Sequence, residues 1–310
     1  MRNAPGSEGA PQGLFVGLAT LDVVHRIAAP PAVNQKVTAT GQFVAAGGPA
    51  ANAAVTFAGL GGEAVLVTAL GDDPVAGLIR ADLAAYGVRV VDAAAGTTRA
   101  VPVSAVSVVE STGDRSIVSL DAVNSEAAPP ADLEALVGAA DVLLVDGHHP
   151  LIASAAVEFA RAASTTVVVD AGRWKPVMSD LASHATDMVC SADFRVPGTD
   201  TTDSTAAALV GDGVGTVVTT HGGEPVRWWS DGESGTVPVP PVEVVDTAGA
   251  GDAFHGAYAY FAVRATDSLS DRIARSARVA ALRCSVVGPR AWLTRLPGHI
   301  HDEQTRRRSR

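Results

Sequence analysis

Asp252 stands directly behind three small residues, Gly249, Ala250 and Gly251, in the run DTAGAGDAFHGAYAY at residues 246–260. Small residues let another molecule approach the main chain closely. The first amides of a helix lack internal partners and attract anions. The strand-like PVEVVDTAG passes here into a helical composition, so the run reads as a loop-to-helix junction. An anion cradle beside a carboxylate makes chemical sense where a phosphoryl group meets a hydroxyl. The amides of Gly249, Ala250 and Gly251 would then hold developing negative charge, and Asp252 would accept the proton of the attacking hydroxyl. The plainer alternative is that Asp252 caps its helix and the glycines only turn the chain.

A second constellation is AAGGPAANAAVTFAGLG at residues 45–61. Gly47 and Gly48 end a strand, Pro49 opens a helix, and Asn52 faces back towards the turn. Such a turn brings backbone amides and a side-chain amide to the hydroxyls of a polyol, although Gly-Gly-Pro is also an ordinary turn. Asp22 follows the first strand, on the edge where α/β folds bind ligands, and its carboxylate can accept two hydroxyls; a solvated turn residue is the alternative. The first strand is not followed by G-x-G-x-x-G, and the chain has no Walker G-x-x-x-x-G-K-[ST]. Those absences argue against dinucleotide-dependent redox chemistry and P-loop chemistry.

These residues need a scaffold, and the sequence supplies one. LFVGLA, AVLVTAL, DVLLVDG, TVVVDAG, DMVCSAD and GTVVTTHG read as strands buried on both faces, the habit of a parallel sheet. Helical patterns separate several of them. DDPVAGLIRADLAAYG has an Asp cap, Pro74 in its first turn and Gly87 as its stop. The alternation predicts a doubly wound, mostly parallel α/β sheet flanked by helices. Residues 22–46 and 98–120 instead alternate apolar and polar positions between turn signals, which predicts half-buried antiparallel strands. Paired as a small projecting sheet, they would make a lid over the site. Residues 1–12 and the basic end 301–310 read as disordered, leaving one domain over 13–300.

Composition narrows the partners. The 310 residues are 47% hydrophobic with a net charge of −10, so there is no basic footprint for nucleic acid or an anionic membrane. The two cysteines, Cys190 and Cys284, are too few for a disulfide framework and read as buried thiols. Neither a secretory h-region nor an unbroken membrane-length apolar stretch is present, and a soluble cytoplasmic protein is the expectation.

Taken together, DTAGAGDAFHGAYAY, GGPAANAAVTFAGLGGEAVLVTALGDDPVAGLI and the lid-like segments resemble the PfkB, or ribokinase-like, carbohydrate kinase family over roughly residues 14–297. The resemblance implies ATP- and Mg2+-dependent phosphorylation of a sugar or nucleoside hydroxyl. It makes Asp252 the base, Gly249, Ala250 and Gly251 the anion hole, and Asp22, Gly47, Gly48 and Asn52 the acceptor's partners. Asp146 or His148, in VDGHHP, falls near a position where family members contact the acceptor. DAGRWKP and VVTTHGG resemble segments beside the nucleotide, which makes Arg173, Lys175, Thr220 and Gly222 candidates for it. Asp246 and the loop around Val287 and Gly288 match positions that bind a monovalent cation such as K+ in several members. The β-lid implies a homodimer clasp. Where many members carry N-x-x-E, this chain has Ser191, Ala192, Asp193 and Phe194, similar to a ketohexokinase-type loop; that leaves Asp193 as the candidate for metal or nucleotide handling and favours a ketose or related sugar. A nucleoside kinase, for which 5% aromatics is a thin supply, and a catalytically silent sugar-binding regulator remain the alternatives. His255, one helical turn past Asp252, reads as packed or solvated.

Overall fold

The computed structural model describes residues 9–122, 124–264 and 268–296; the tail expected at 301–310 and most of the expected N-terminal segment lie outside them. Within the described residues, Pro11 is buried and Gln12 opens the first strand.

In chain order, the first half forms β1 (Gln12–Val16), β2 (Thr20–Ile27), β3 (Gly41–Gly47), α1 (Pro49–Gly59), β4 (Glu63–Thr68), α2 (Pro74–Ala85), β5 (Val88–Asp92), β6 (Val103–Val109) and β7 (Arg115–Ser119). There follow α3 (Leu133–Ala139), β8 (Val142–Val145), α4 (Pro150–Ala163), β9 (Thr166–Ala171), α5 (Met178–Ala182), β10 (Asp187–Cys190) and α6 (Thr202–Gly211). The chain then makes β11 (Thr216–His221), β12 (Glu224–Ser230), β13 (Glu233–Val237), α7 (Ala250–Ala262) and α8 (Leu269–Cys284).

Nine strands build the main sheet in the order β13-β12-β11-β10-β9-β8-β1-β4-β5, parallel except at the β12 and β13 edge. Strands such as β8 and β10 are buried at every position, as their unbroken apolar runs require. Alternate side chains feed two cores, Phe15 entering one and Leu14 and Val16 the other. The strand order reverses between β1 and β8, the switch point at which such sheets open a crevice.

On one face α1 and α7 pack at very close range. A Cβ on Gly256 of α7 would stand 2.2 Å from the Ala53 carbonyl oxygen and 2.8 Å from Thr56 Cβ of α1. Phe57 of α1 is fully buried and meets Phe15 and Tyr260 edge to face, with centroids 5.3 and 5.4 Å apart. The N-termini of both helices lie at the same edge of the sheet as the lid.

The lid is a separate sheet of order β3-β2-β6-β7 with a small core of Val24, Val106 and Val108 against Phe43. Its outer pairs are antiparallel as expected, but β2 and β6 pair in parallel. The reason is topological. β2 leaves the body after β1 and β6 leaves it after β5, from the same edge of a parallel sheet, so both run outward in one direction.

The close helix contact is testable. Gly256→Ala should lose about 1–3 kcal/mol of stability through overpacking against backbone. Gly138→Ala on α3, where an added Cβ meets nothing within 4 Å, should lose none. Urea unfolding of the pair measures the difference, and equal midpoints would show that the helices can part without cost.

Candidate active site

The contact between α1 and α7 places two glycine-rich turns side by side under the lid. At the first, a Cβ on Gly47 would lie 2.0 Å from Asp22 Oδ2, so glycine there is what makes room for the carboxylate. Gly48 has φ +97°, and a Cβ on it would meet the Leu18 carbonyl oxygen at 2.3 Å. Asp22 sits on β2, and the Thr20 hydroxyl donates to its Oδ1 at 2.6 Å. The adjoining Asn52 Nδ2 donates to Asp252 Oδ2 at 2.8 Å. Its Oδ1 accepts from Arg290 Nη1 at 3.1 Å, which fixes the amide with its donor towards Asp252. Arg290 in turn is held by Asp82 at 2.9 Å and by the Ala46 carbonyl at 2.7 Å.

At the second turn, Gly249 takes a left-handed φ of 72° and hands the chain to α7. No side chain caps this N-terminus. Asp252 lies inside the first turn and faces Asn52, so the capping alternative does not describe it. An added Cβ on Gly251 would meet nothing within 4 Å, because this face opens on a cleft. The cleft has a volume of about 480 Å3, and its wall includes Asp22, Asn52, Asp193, Gly249, Gly251 and Asp252. Ser104, Arg115, Ile117 and Ser119 contribute from the lid.

Asp252 has charged neighbours. Asp170, at the end of β9, lies with His255 and Asp252 so that one donor atom of each is within 4.8 Å of the others. His255 Nδ1 is 3.1 Å from Asp170 Oδ2, and both side chains are buried. Burial opposes charge on the imidazole, but Asp170, with a contribution from Asp252, raises its pKa above the usual histidine range. For Asp252, burial and then the Asp170 carboxylate push the pKa up to about 6, against the Asn52 hydrogen bond and the positive charges of His255 and Arg115. The result is a carboxylate whose affinity for a proton approaches what a base needs near neutral pH.

The lid is latched to the loop before α7. Arg115 Nη1 donates to the Thr247 carbonyl at 3.2 Å and to its hydroxyl at 3.0 Å. Thr247 Oγ1 donates back to the Gly113 carbonyl at 3.0 Å. Beneath that loop, Asp246 is buried against Arg283.

Other residues singled out in the sequence lie elsewhere. Asp146 and His148 are buried outside the cleft, so neither is placed to touch an acceptor. The Asp146 carboxylate accepts the amides of Leu18 at 2.9 Å, Ala50 at 3.1 Å and His148 at 2.9 Å. Burial alone would raise its pKa, but His148, through its side chain and its amide, and the Lys175 ammonium hold it well below the usual range. Lys175 is turned inward, with Nζ donating to the Asp146 carbonyl at 2.8 Å, and burial lowers its pKa. Arg173 is exposed and paired with Asp121. Thr220 is the penultimate residue of β11 and Gly222 occupies the exposed turn after it, and neither is among the residues of the cleft wall. Asp193 does line the cleft, while Phe194 beside it is buried in the core against Trp174. Sequence reasoning missed Asp170, His255 and the Asp82–Arg290 pair. Asp170 carried the same signal as Asp22, an acidic residue at the carboxyl end of a predicted strand; the others become visible only once distant segments meet.

The family described as pfkB family carbohydrate kinase matches residues 14–295. Ribokinase of Bacillus subtilis (strain 168) is 28% identical over 256 residues, covering 79% of this chain and 83% of that protein. An ATP-dependent ribose-1-phosphate kinase of Halopiger xanaduensis is 29% identical over 257 residues, 78% and 81% of the two chains. Among solved structures, a candidate ribokinase from Agrobacterium tumefaciens superposes with a TM-score of 0.83 at 28% identity, covering 96% of this chain and 98% of its own.

The raised pKa of Asp252 carries a stability consequence. Its ionisation is harder in the folded than in the unfolded chain, where the group titrates near 3.8. The folded state is therefore penalised as pH rises through about 6 and is free of the penalty below about pH 4. Asp252→Asn should melt a few degrees above the parent at neutral pH, with the gain shrinking towards acid. Calorimetry across pH decides it, and a parent that melts higher at neutral pH would contradict the electrostatic reading.

Proposed function

The chain belongs to the pfkB family of carbohydrate kinases, ATP-dependent sugar phosphotransferases, and on that premise we propose how its cleft divides between two substrates. The sugar lies under the lid with hydroxyls on Asp22 and the Gly47–Gly48 backbone. The γ-phosphate of ATP lies over the amides of Gly249, Ala250 and Gly251. Asp252 takes the proton of the attacking hydroxyl, the oxygen forms its bond to phosphorus, and the bond to the leaving ADP oxygen breaks. The observation that carries this reading is a carboxylate with a pKa near 6 beside an uncapped helix N-terminus.

Mg2+ favours oxygen donors and keeps several waters. The Asp193 carboxylate on the cleft wall fits that preference, and Phe194, buried in the core, supplies no ligand. Bound there with the nucleotide, Mg2+ would neutralise phosphate charge.

The acceptor we propose is a small unphosphorylated sugar. Arg115, Arg283 and Arg290 on the cleft wall are each already engaged by protein oxygens, which leaves poor provision for a second phosphate. Two sugar classes have support: ribose-type sugars from the names of the relatives, and ketoses from the Ser191–Phe194 loop. A nucleoside finds less to stack on, since Trp292 is the only Phe, Tyr or Trp among the described cleft-wall residues. The lid also presents Val44 and Val118, 53% and 77% exposed, and β7 is exposed throughout. A second copy of the chain packing there would cover them and make the lid a dimer clasp; sedimentation at micromolar concentration should find a dimer, and a monomer would remove the clasp.

Incubating the protein with Mg-ATP and ribose, deoxyribose, fructose, sulfofructose or adenosine, while following ADP release, tests the assignment. One sugar should support turnover, and Asp252→Asn should cut kcat by about 10²–10⁴-fold with ATP still bound. The rate of the parent should fall below pH about 6 as Asp252 gains its proton. Unimpaired turnover in the variant would remove Asp252 from the role of base.

A further inference from the structure

A cation is already buried against the loop proposed to shape the anion hole. Val245 and Asp246 donate their amides to the Cys284 carbonyl at 2.9 and 3.2 Å, tying the start of the loop to the end of α8. Asp246 Oδ1 accepts the Ala248 amide at 3.0 Å, and Oδ2 accepts the Gly288 amide at 3.0 Å. The same Oδ2 pairs with Arg283 Nη2 at 3.3 Å, and Nη1 of that guanidinium donates to the Val286 carbonyl at 3.1 Å. Both side chains are almost fully buried, at 4% and 3% exposure. Arg283 belongs to the last turn of α8, where the helix dipole favours positive charge. Its Nε also lies 4.0 Å from where a Cβ on Gly249 would stand. One guanidinium therefore joins the Asp246 carboxylate to the Val286 carbonyl and lies beside Gly249, the first residue of the proposed anion hole.

Asp246 and this loop are where the sequence suggested a monovalent metal ion, and the residues present do not fit one. The carboxylate and the Val286 carbonyl, the donors such an ion would need, already face a permanent charge. A second cation between them would be repelled at contact distance in a buried site.

We infer that Arg283 is the resident cation of this site: a tethered guanidinium that holds the 246–249 loop in its phosphate-receiving shape and makes the protein independent of K+. Arg283 is a positioning residue that acts through the loop, its guanidinium being engaged by Asp246 and the Val286 carbonyl. The activity arm of the test rests on the kinase reading above; the thermal arm does not.

The test compares the wild type with Arg283→Ala and Arg283→Lys in choline, sodium and potassium chloride at equal ionic strength. Melting temperature and ADP release are read on each. The wild type should show the same melting temperature and rate in all three salts. Arg283→Ala should lose about tenfold or more in kcat/KM for ATP in choline. Potassium should restore much of that loss and raise the variant's melting temperature with concentration, as a ligand of the folded state does. Arg283→Lys, which keeps a tethered charge, should stay insensitive to potassium. If Arg283→Ala does not fold in choline, its recovery on potassium addition is the same result in another form. A wild type that melts higher or turns over faster in potassium alone would overturn the inference, as would an Arg283→Ala protein indifferent to the cation. If no sugar releases ADP, the kinase reading has failed, and the melting temperatures still decide whether Arg283 replaces the ion.

Discussion

The contact at Gly256 is what the active site depends on. Helices usually keep their axes 8–10 Å apart according to the side chains between them. With no side chain at that point, α7 brings its backbone against the Ala53 carbonyl of α1. The hydrogen bond between Asn52, next to Ala53, and Asp252, one turn before Gly256, spans the two helices. The close packing of the backbones at Gly256 lets these two short side chains meet at 2.8 Å. The turn of Gly47 and Gly48, proposed for the acceptor, and the turn at Gly249, proposed for phosphate, come from distant parts of the chain, and this packing sets their separation. Precision of that kind matters because phosphoryl transfer is mainly positioning and electrostatics.

Charge at the site is arranged as opposed pairs, each fixing something else. Arg290 is held by Asp82 and orients Asn52, which presents its donor to Asp252. His255 offsets Asp170, which would otherwise raise the pKa of Asp252 still further. Arg283 answers Asp246 below the anion hole, and Arg115 reaches from the lid to the same loop. The start of α7 thus has a buried guanidinium at Asp246 and a lid guanidinium at Thr247 beside it, with the Ala250 amide turned back to the Thr247 carbonyl at 3.3 Å and Gly249 and Gly251 on the cleft wall. The chain is acidic overall, yet the place where phosphate is expected is bordered by cations.

Much of this was legible in the sequence because the signals were local. Asp252 after Gly-Ala-Gly, Asn52 after Gly-Gly-Pro, and the strands buried on both faces all follow from residue order alone. The parallel pairing of β2 with β6 was hidden, since alternation shows that a strand has two faces but not its neighbour's direction. Lys175 and Arg173 looked alike as basic residues after a strand; one turns into the core and one into solvent, a difference made by the turn geometry after β9. Asp146 and His148 followed the right edge of a strand, as Asp22 did. What separates them is whether the edge is vacant or filled by the chain itself, and that depends on where α1 comes to rest.

The position of Asp146 bears on how the two substrates divide the cleft. It lies at the switch point between β1 and β8, the crevice where sheets of this kind usually admit a guest. Its carboxylate takes the amide of Ala50 in the first turn of α1, and that of Leu18 in the neighbouring loop. The protein has thereby inserted an anion of its own at one of the two helix ends facing the site. The dipole of α1 is answered from within, and that of α7 is left for a visitor. Of two comparable helix ends, only the second is left without an anion from the chain itself, and on the proposed reading that difference is what would tell donor from acceptor.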